Sequence, residues 1–143
     1  MSLSIELQIG KAGEYLVCSD LITKGYSAFL SDQGLPYDVL VDIKGTIKRI
    51  QVKTISKSGD HGISKNVYRF SLRTGNASRG QHRKMRLIHK SAFDYVAFVF
   101  LDKRIVQYIS VAELTTDKGF LKQCLDFRES GNTNYIIGKY SNL

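Results

Sequence analysis

Apolar residues recur at helical spacing from Leu7 to Lys24, where Ile9, Ala12 and Leu16, with the neighbouring Val17 and Leu21, fall together. Gly25 is placed to stop that helix. The period then shortens to two. Tyr26–Ser31 is a short strand candidate, and Tyr37–Ile43 and Ile47–Ile55 alternate apolar with polar residues across a turn at Lys44-Gly45-Thr46. Pro36, the only proline, stands at the start of the first of these two strands. A polar loop over Ser56–Asn66, loosened by Gly59 and Gly62, leads to a strand at Val67–Leu72. A second polar loop, Thr74–Gly80, precedes a predicted helix at Gln81–Lys90. Tyr95–Leu101 is a near-continuous apolar run, as in a buried strand, and Asp102-Lys103 turns it into another strand at Arg104–Ile109. A short helix at Val111–Leu114, a helix over Lys118–Phe127 and an edge strand at Tyr135–Ile137 complete the prediction. This order predicts an α/β domain: one mixed β-sheet with helices on its faces.

Composition narrows the class. At 143 residues, 43% of them hydrophobic, the chain suits a single folded domain, residues 1–143, with a real core. No apolar run approaches the roughly 18 residues that span a membrane, and nothing at the start reads as a signal peptide, so a cytoplasmic or nucleoid-associated protein is expected. Cys18 and Cys124 are expected to be two buried thiols rather than a disulfide, and no Cys or His pair has zinc-ligand spacing. Charge says more. There are 21 Lys and Arg against 13 Asp and Glu, a net charge of +8 that favours polyanionic partners. Between Asp60 and Asp94 there is no acid, yet Lys65, Arg69, Arg73, Arg79, Arg83, Lys84, Arg86 and Lys90 fall there. A one-sign tract among Gly, Ser, Asn and Thr reads as a phosphate-facing surface rather than an ordinary solvated one. His61, His82 and His89 have no partner in sequence and read as surface or nucleic-acid-contacting residues. Phe93, Tyr95, Phe98 and Phe100 alternate too evenly for a stacking platform and read as core.

The candidate chemistry sits on the hairpin. Residues two apart on a strand face the same side, so Gln51 and Lys53 share one face, and Asp38, Leu40 and Asp42 share a face of the preceding strand. Pairing through the Gly45 turn brings Asp38 near the level of Gln51 and Lys53, within about a residue. Taken alone, these are equally well the solvent-facing positions of an ordinary hairpin. Glu14 tips the balance. It lies three or four residues from Gly10, Val17 and Cys18, on the small and apolar face of the first helix, where a carboxylate is costly unless something pairs with it. Gly10, Ala12 and Gly13 beside it leave room for close approach of backbone or phosphate.

A helix acid, then Asp38, then Gln51-Val52-Lys53 on the next strand resembles the PD-(D/E)XK nuclease superfamily. The matched segment runs from Gly10 to Thr54, and Ser91–Leu114 is similar to the downstream strands of such folds. Among subfamilies the chain is most similar to the group I intron-associated, homing-type endonucleases, with archaeal-type Holliday junction resolvases as near relatives. The resemblance implies a restriction-endonuclease-like core, with Asp38 as the central metal ligand, Lys53 as the catalytic lysine and Glu14 as the helix-borne acid. It implies Mg2+, with Mn2+ as a substitute, held by Asp38, Gln51, the Val52 carbonyl and Glu14, because an all-oxygen donor set suits hard cations. Two departures stand out: Tyr37 separates Pro36 from Asp38, and Gln51 replaces the usual acid with a neutral, weaker ligand. The implied partner is DNA, contacted by Lys57, Arg69, Arg73, Arg79, His82, Arg83, Lys84 and Arg86. A chain this small implies a homodimer or homotetramer if both strands are to be cut. A junction resolvase, a catalytically weak DNA-binding protein on the same fold, and a basic RNA-binding domain without a metal site are the rival readings.

Overall fold

A computed structural model of the chain describes residues 4–32, 34–59, 65–73, 86–131 and 135–143. The first helix, α1, spans Ile5–Thr23. The Ser4 side chain caps it by accepting from the Leu7 N–H. Gly25, at φ 97°, ends it in a Schellman motif: its N–H donates to Ile22 O while the Tyr26 N–H donates to Leu21 O. Then come β1 (Ser27–Leu30), β2 (Val39–Ile43), β3 (Thr46–Ile55), β4 (Val67–Ser71), β5 (Tyr95–Phe100), β6 (Ile105–Ser110), α2 (Val111–Leu114) and β7 (Cys124–Arg128).

Five strands form one mixed sheet in the order β1-β2-β3-β5-β6; β4 and β7 form a separate antiparallel ribbon. β2 and β3 pair antiparallel from Val39 opposite Ile50 to Ile43 opposite Thr46. Lys44 and Gly45 both have positive φ, 51° and 87°, as a two-residue type I′ hairpin requires. β3 runs parallel to β5, with Gln51 beside Val96 and Lys53 beside Phe98. Each sheet face has its own core. On one, α1 buries Val17, Cys18 and Leu21 against Val39, Val41, Ile50, Val52, Ala97 and Val99. On the other, the ribbon and α2 pack Tyr68, Phe70, Leu125 and Phe127 against Val96, Phe98 and Phe100. Phe70, Phe98, Phe100 and Phe127 lie with ring centroids 5.0–5.9 Å apart. Of the four aromatics read as core, Phe93, Phe98 and Phe100 are buried and Tyr95, at the start of β5, is half-buried.

The predicted helix at Lys118–Phe127 is not formed. Gly119 takes a left-handed φ of 86°, and Cys124–Arg128 is strand β7, with Leu125 and Phe127 turned inward. Cys124 is consequently exposed rather than buried, and Cys18 alone is a buried thiol; both are free. Of the helix predicted at Gln81–Lys90, residues 81–85 lie outside the described residues, and residues 86–90 are not helical. The edge strand predicted at Tyr135–Ile137 reduces to one parallel bridge between Ile136 and Arg128. Gln107, fully buried on β6, accepts from the Gly138 and Tyr140 N–H groups and so ties the final residues to that sheet edge. Among the described residues no helix is long and apolar enough to cross a membrane.

Candidate active site

The site follows from a difference in strand length. β3 has ten residues and β2 five, so β2 parts from β3 while β3 runs on. Asp38 stands at the parting. Its N–H donates to Ile50 O at 2.8 Å, and its carboxylate Oδ2 accepts from the Val52 N–H at 2.9 Å. The carboxylate thus takes over where the β2 ladder stops. Within one strand residue the N–H and C=O point to the same side. The Val52 carbonyl therefore faces the side that Asp38 occupies, with the Gln51 amide nitrogen 3.5 Å away.

Gln51 and Lys53 project from the sheet face opposite α1, in register with Val96 and Phe98. Glu14 approaches from α1. It is held close by its neighbour: Gly13 packs so tightly on β3 that an added Cβ would lie 1.8 Å from Thr54 Oγ1. The Glu14 side chain is 21% exposed and its Oε1 lies 3.4 Å from Lys11 Nζ.

The electrostatics couple these groups. Burial pushes the Glu14 carboxyl above its ordinary range, and the Asp38 charge pushes it the same way; Lys11 opposes both. Burial also raises Asp38, against the Val52 N–H, Lys53 and Lys11. Burial lowers Lys53, against the attraction of Asp38. Two anions are thus held where each is disfavoured, beside an amine whose charged form is disfavoured too. Such a site favours added positive charge and proton transfer.

Lys53 lines two cavities. One, of about 580 Å³, lies among Ile9, Gly10, Glu14, Lys53, Lys57 and Arg69. The other, of about 460 Å³, lies among Pro36, Asp38, Gln51, Lys53, His89 and Phe93. Glu14 and Val52 thus line one cavity and Asp38 and Gln51 the other, with Lys53 bordering both and the Asp38 charge felt at Glu14.

Of the residues expected to contact nucleic acid, Lys57 is exposed and Arg69 lies across the same cavity as Glu14. Arg69 forms a two-pronged pair with Asp126 of β7 at 2.8 and 2.9 Å. Arg73 is half-buried just past β4, and Arg86 is exposed. Arg79, His82, Arg83 and Lys84 lie outside the described residues, as does His61. Sequence reasoning missed Lys11, whose signal was its spacing of three from Glu14. It also missed the cavity wall from Leu87 to Phe93, which only the tertiary fold brings to Asp38.

Among the described residues no three His, Cys, Asp or Glu side chains gather as a metal-binding group. The donors at hand are two carboxylates, an amide oxygen and a backbone carbonyl. That all-oxygen set, with both acids destabilised as anions, fits a hard divalent cation rather than zinc.

Residues 6–125 match the PD-(D/E)XK endonuclease family, so the chain belongs to that family and is an endonuclease by membership. Family members generally work with divalent metal ions. Among solved structures the chain is similar to the bacterial homing endonuclease I-Ssp6803I, at 16% identity and a TM-score of 0.71, over 92% of this chain and 83% of that one. The shared fold is the restriction-endonuclease-like one, a mixed sheet flanked by helices. No curated protein matches the chain.

Proposed function

We propose that the protein is a divalent-metal-dependent endonuclease that hydrolyses phosphodiester bonds of DNA, sequence-specific in the manner of a homing enzyme. The observation that carries this reading is the convergence of Asp38, Gln51 and Lys53 where β3 outruns β2, with the Asp38 carboxylate fastened to the Val52 N–H. Mg2+, or Mn2+ in its place, would be held by Asp38, the Gln51 amide oxygen, the Val52 carbonyl and Glu14. When bound it lowers the pKa of water and offsets the charge growing on the phosphate.

The rest belongs to the chain. The Val52 N–H fixes the direction of the Asp38 carboxylate through Oδ2, and Oδ1 is the oxygen that would ligate. Lys53, with its charged form disfavoured by burial, orients the attacking water and stabilises the developing phosphate charge. Lys57, Arg69, Arg73 and Arg86, with Arg79, His82, Arg83 and Lys84, supply the DNA-facing charge. One site cuts one strand, so a homodimer or homotetramer completes a double-strand break. The homing character of the similar fold supports specific cutting over junction resolution.

The test is incubation with Mg2+ of a supercoiled plasmid library, a four-way junction and single-stranded DNA. Discrete linear products are expected. Lys53→Met and Asp38→Asn each reduce cleavage by about 1,000-fold or more while circular dichroism stays unchanged. Symmetric junction nicks would instead assign a resolvase. Tight, salt-sensitive binding without cleavage in Mg2+ or Mn2+ would assign a binding protein, with the neutral Gln51 as the cause.

A further inference from the structure

Lys11 is the only basic residue of α1, and it lies one helical turn before the acid of the site. Its ammonium is 3.4 Å from Glu14 Oε1. An ordinary surface pair on a helix gains most when the acid precedes the base; here the base comes first. Both side chains are also partly withdrawn from water, 44% and 21% exposed. Helix stabilisation alone therefore does not account for the pair. Its charge reaches beyond Glu14: Lys11 also favours the anionic form of Asp38. The neighbouring Gly10 leaves the space beside the pair open, since a Cβ there would meet nothing within 4 Å.

The formal charges of the four groups that act on one another here are then balanced, apart from Lys57 and the Asp126-paired Arg69 on the cavity wall. Glu14 and Asp38 are two anions; Lys11 and Lys53 are two cations; Gln51 contributes nothing. Where a carboxylate at position 51 would have left an excess of negative charge, this site has none of its own.

We propose that Lys11 is the internal counter-ion of the site. It balances Glu14 and Asp38 in the free protein and has to be displaced before a divalent cation binds. Metal affinity is therefore low until a DNA phosphate brings further negative charge, and metal and DNA load together. This inference rests on Asp38 and Glu14 being the metal-holding groups. A unit charge and a divalent ion about 6 Å apart in a water-like dielectric repel by an amount worth about tenfold in affinity.

The experiment is calorimetric titration of Mn2+ into the full chain, free of DNA and at low salt, for the wild type and for Lys11→Met, Lys11→Gln, Lys11→Arg and Asp38→Asn. Lys11→Met and Lys11→Gln bind Mn2+ about tenfold more tightly than the wild type, Lys11→Arg matches the wild type, and Asp38→Asn loses binding. The gain shrinks as salt screens the charge. A wild type too weak to measure, with Lys11→Met binding, supports the proposal equally. Unchanged or weaker binding by the neutral variants, with binding still lost in Asp38→Asn, overturns the counter-ion role and leaves the metal site standing. Lys11→Arg binding as tightly as Lys11→Met also overturns it. Absence of binding in the wild type and the neutral variants alike also overturns the counter-ion role, because removing the Lys11 charge then brings no gain, and the metal site is tested separately by cleavage of DNA.

Discussion

Gly10 and Gly13 lie three residues apart on α1, and changing each to alanine has opposite expected effects. At Gly10 the new methyl meets nothing within 4 Å, so only the gain in helix propensity remains. That gain is about 0.8–1 kcal/mol, or roughly 3 °C in melting temperature for a chain of this size. At Gly13 the methyl would lie 1.8 Å from Thr54 Oγ1, 2.9 Å from its Cβ and 3.0 Å from its Cγ2. Thr54, β-branched and stiff at χ1, clears Oγ1 only by changing rotamer, and its Cβ still lies 2.9 Å from the methyl, so α1 and β3 must give as well. With Thr54 in its present rotamer, reaching even 3.0 Å requires a shift of about 1.2 Å, the difference between the closest contact and that floor. Such overpacking costs about 1–3 kcal/mol, and a contact this close belongs in the upper part of that range, about 2–3 kcal/mol, which exceeds the propensity gain. Gly13→Ala is expected to lower stability by about 1–2 kcal/mol, measured by thermal and urea denaturation followed by circular dichroism. Thr54→Ala removes Oγ1 and Cγ2 and should recover most of the loss, giving a coupling of about 1 kcal/mol in the double-mutant cycle. A Gly13→Ala protein as stable as the wild type, or a cycle without coupling, would refute the close contact of helix and strand that seats Glu14.

Two further outcomes concern the acids and the amide. Burial raises the folded-state pKa of Asp38 above its ordinary 3.8, so its anion costs stability; the cost is absent below 3.8 and sets in as pH rises through the folded value. Asp38→Asn, measured in chelator, is therefore more stable than the wild type at neutral pH, with the difference vanishing toward pH 3.5; a less stable variant at pH 7 would show that the Val52 hydrogen bond outweighs burial. Gln51→Glu adds a carboxylate to the donor set and is expected to tighten Mn2+ binding about tenfold by calorimetry; unchanged affinity would place the side chain off the metal.

The elements read correctly from sequence are those whose pattern is local. The helix stops at Gly25 because glycine there takes φ 97°, and the hairpin turns at Lys44-Gly45 because both residues take positive φ. From that turn the register follows by counting, which is why Asp38, Gln51 and Lys53 are legible as neighbours in the sequence itself. The helix predicted at Lys118–Phe127 failed for a non-local reason. Phe120, Leu121, Cys124 and Leu125 fit helical spacing, but Leu125 and Phe127 also fit a strand, and the β4 partner that decides the matter lies more than 50 residues earlier. Lys11 was overlooked for another reason: spacing shows who is near Glu14, whereas the importance of that neighbour depends on how deeply α1 sets Glu14 into the sheet.

The parallel pairing of β3 with β5 obliges the chain to leave the sheet after Ile55 and return only at Tyr95. The whole acid-free basic tract falls inside that excursion, whereas Asp38, Gln51 and Lys53 lie on a self-contained hairpin before it. On the proposed reading, recognition and chemistry are separate modules in sequence. Exchanges of arginines in that stretch, outside β4 and the Leu87–Phe93 cavity wall, can then change which DNA is bound without disturbing the residues that cut it. A lineage with this layout can follow a drifting target site while its catalytic hairpin stays still.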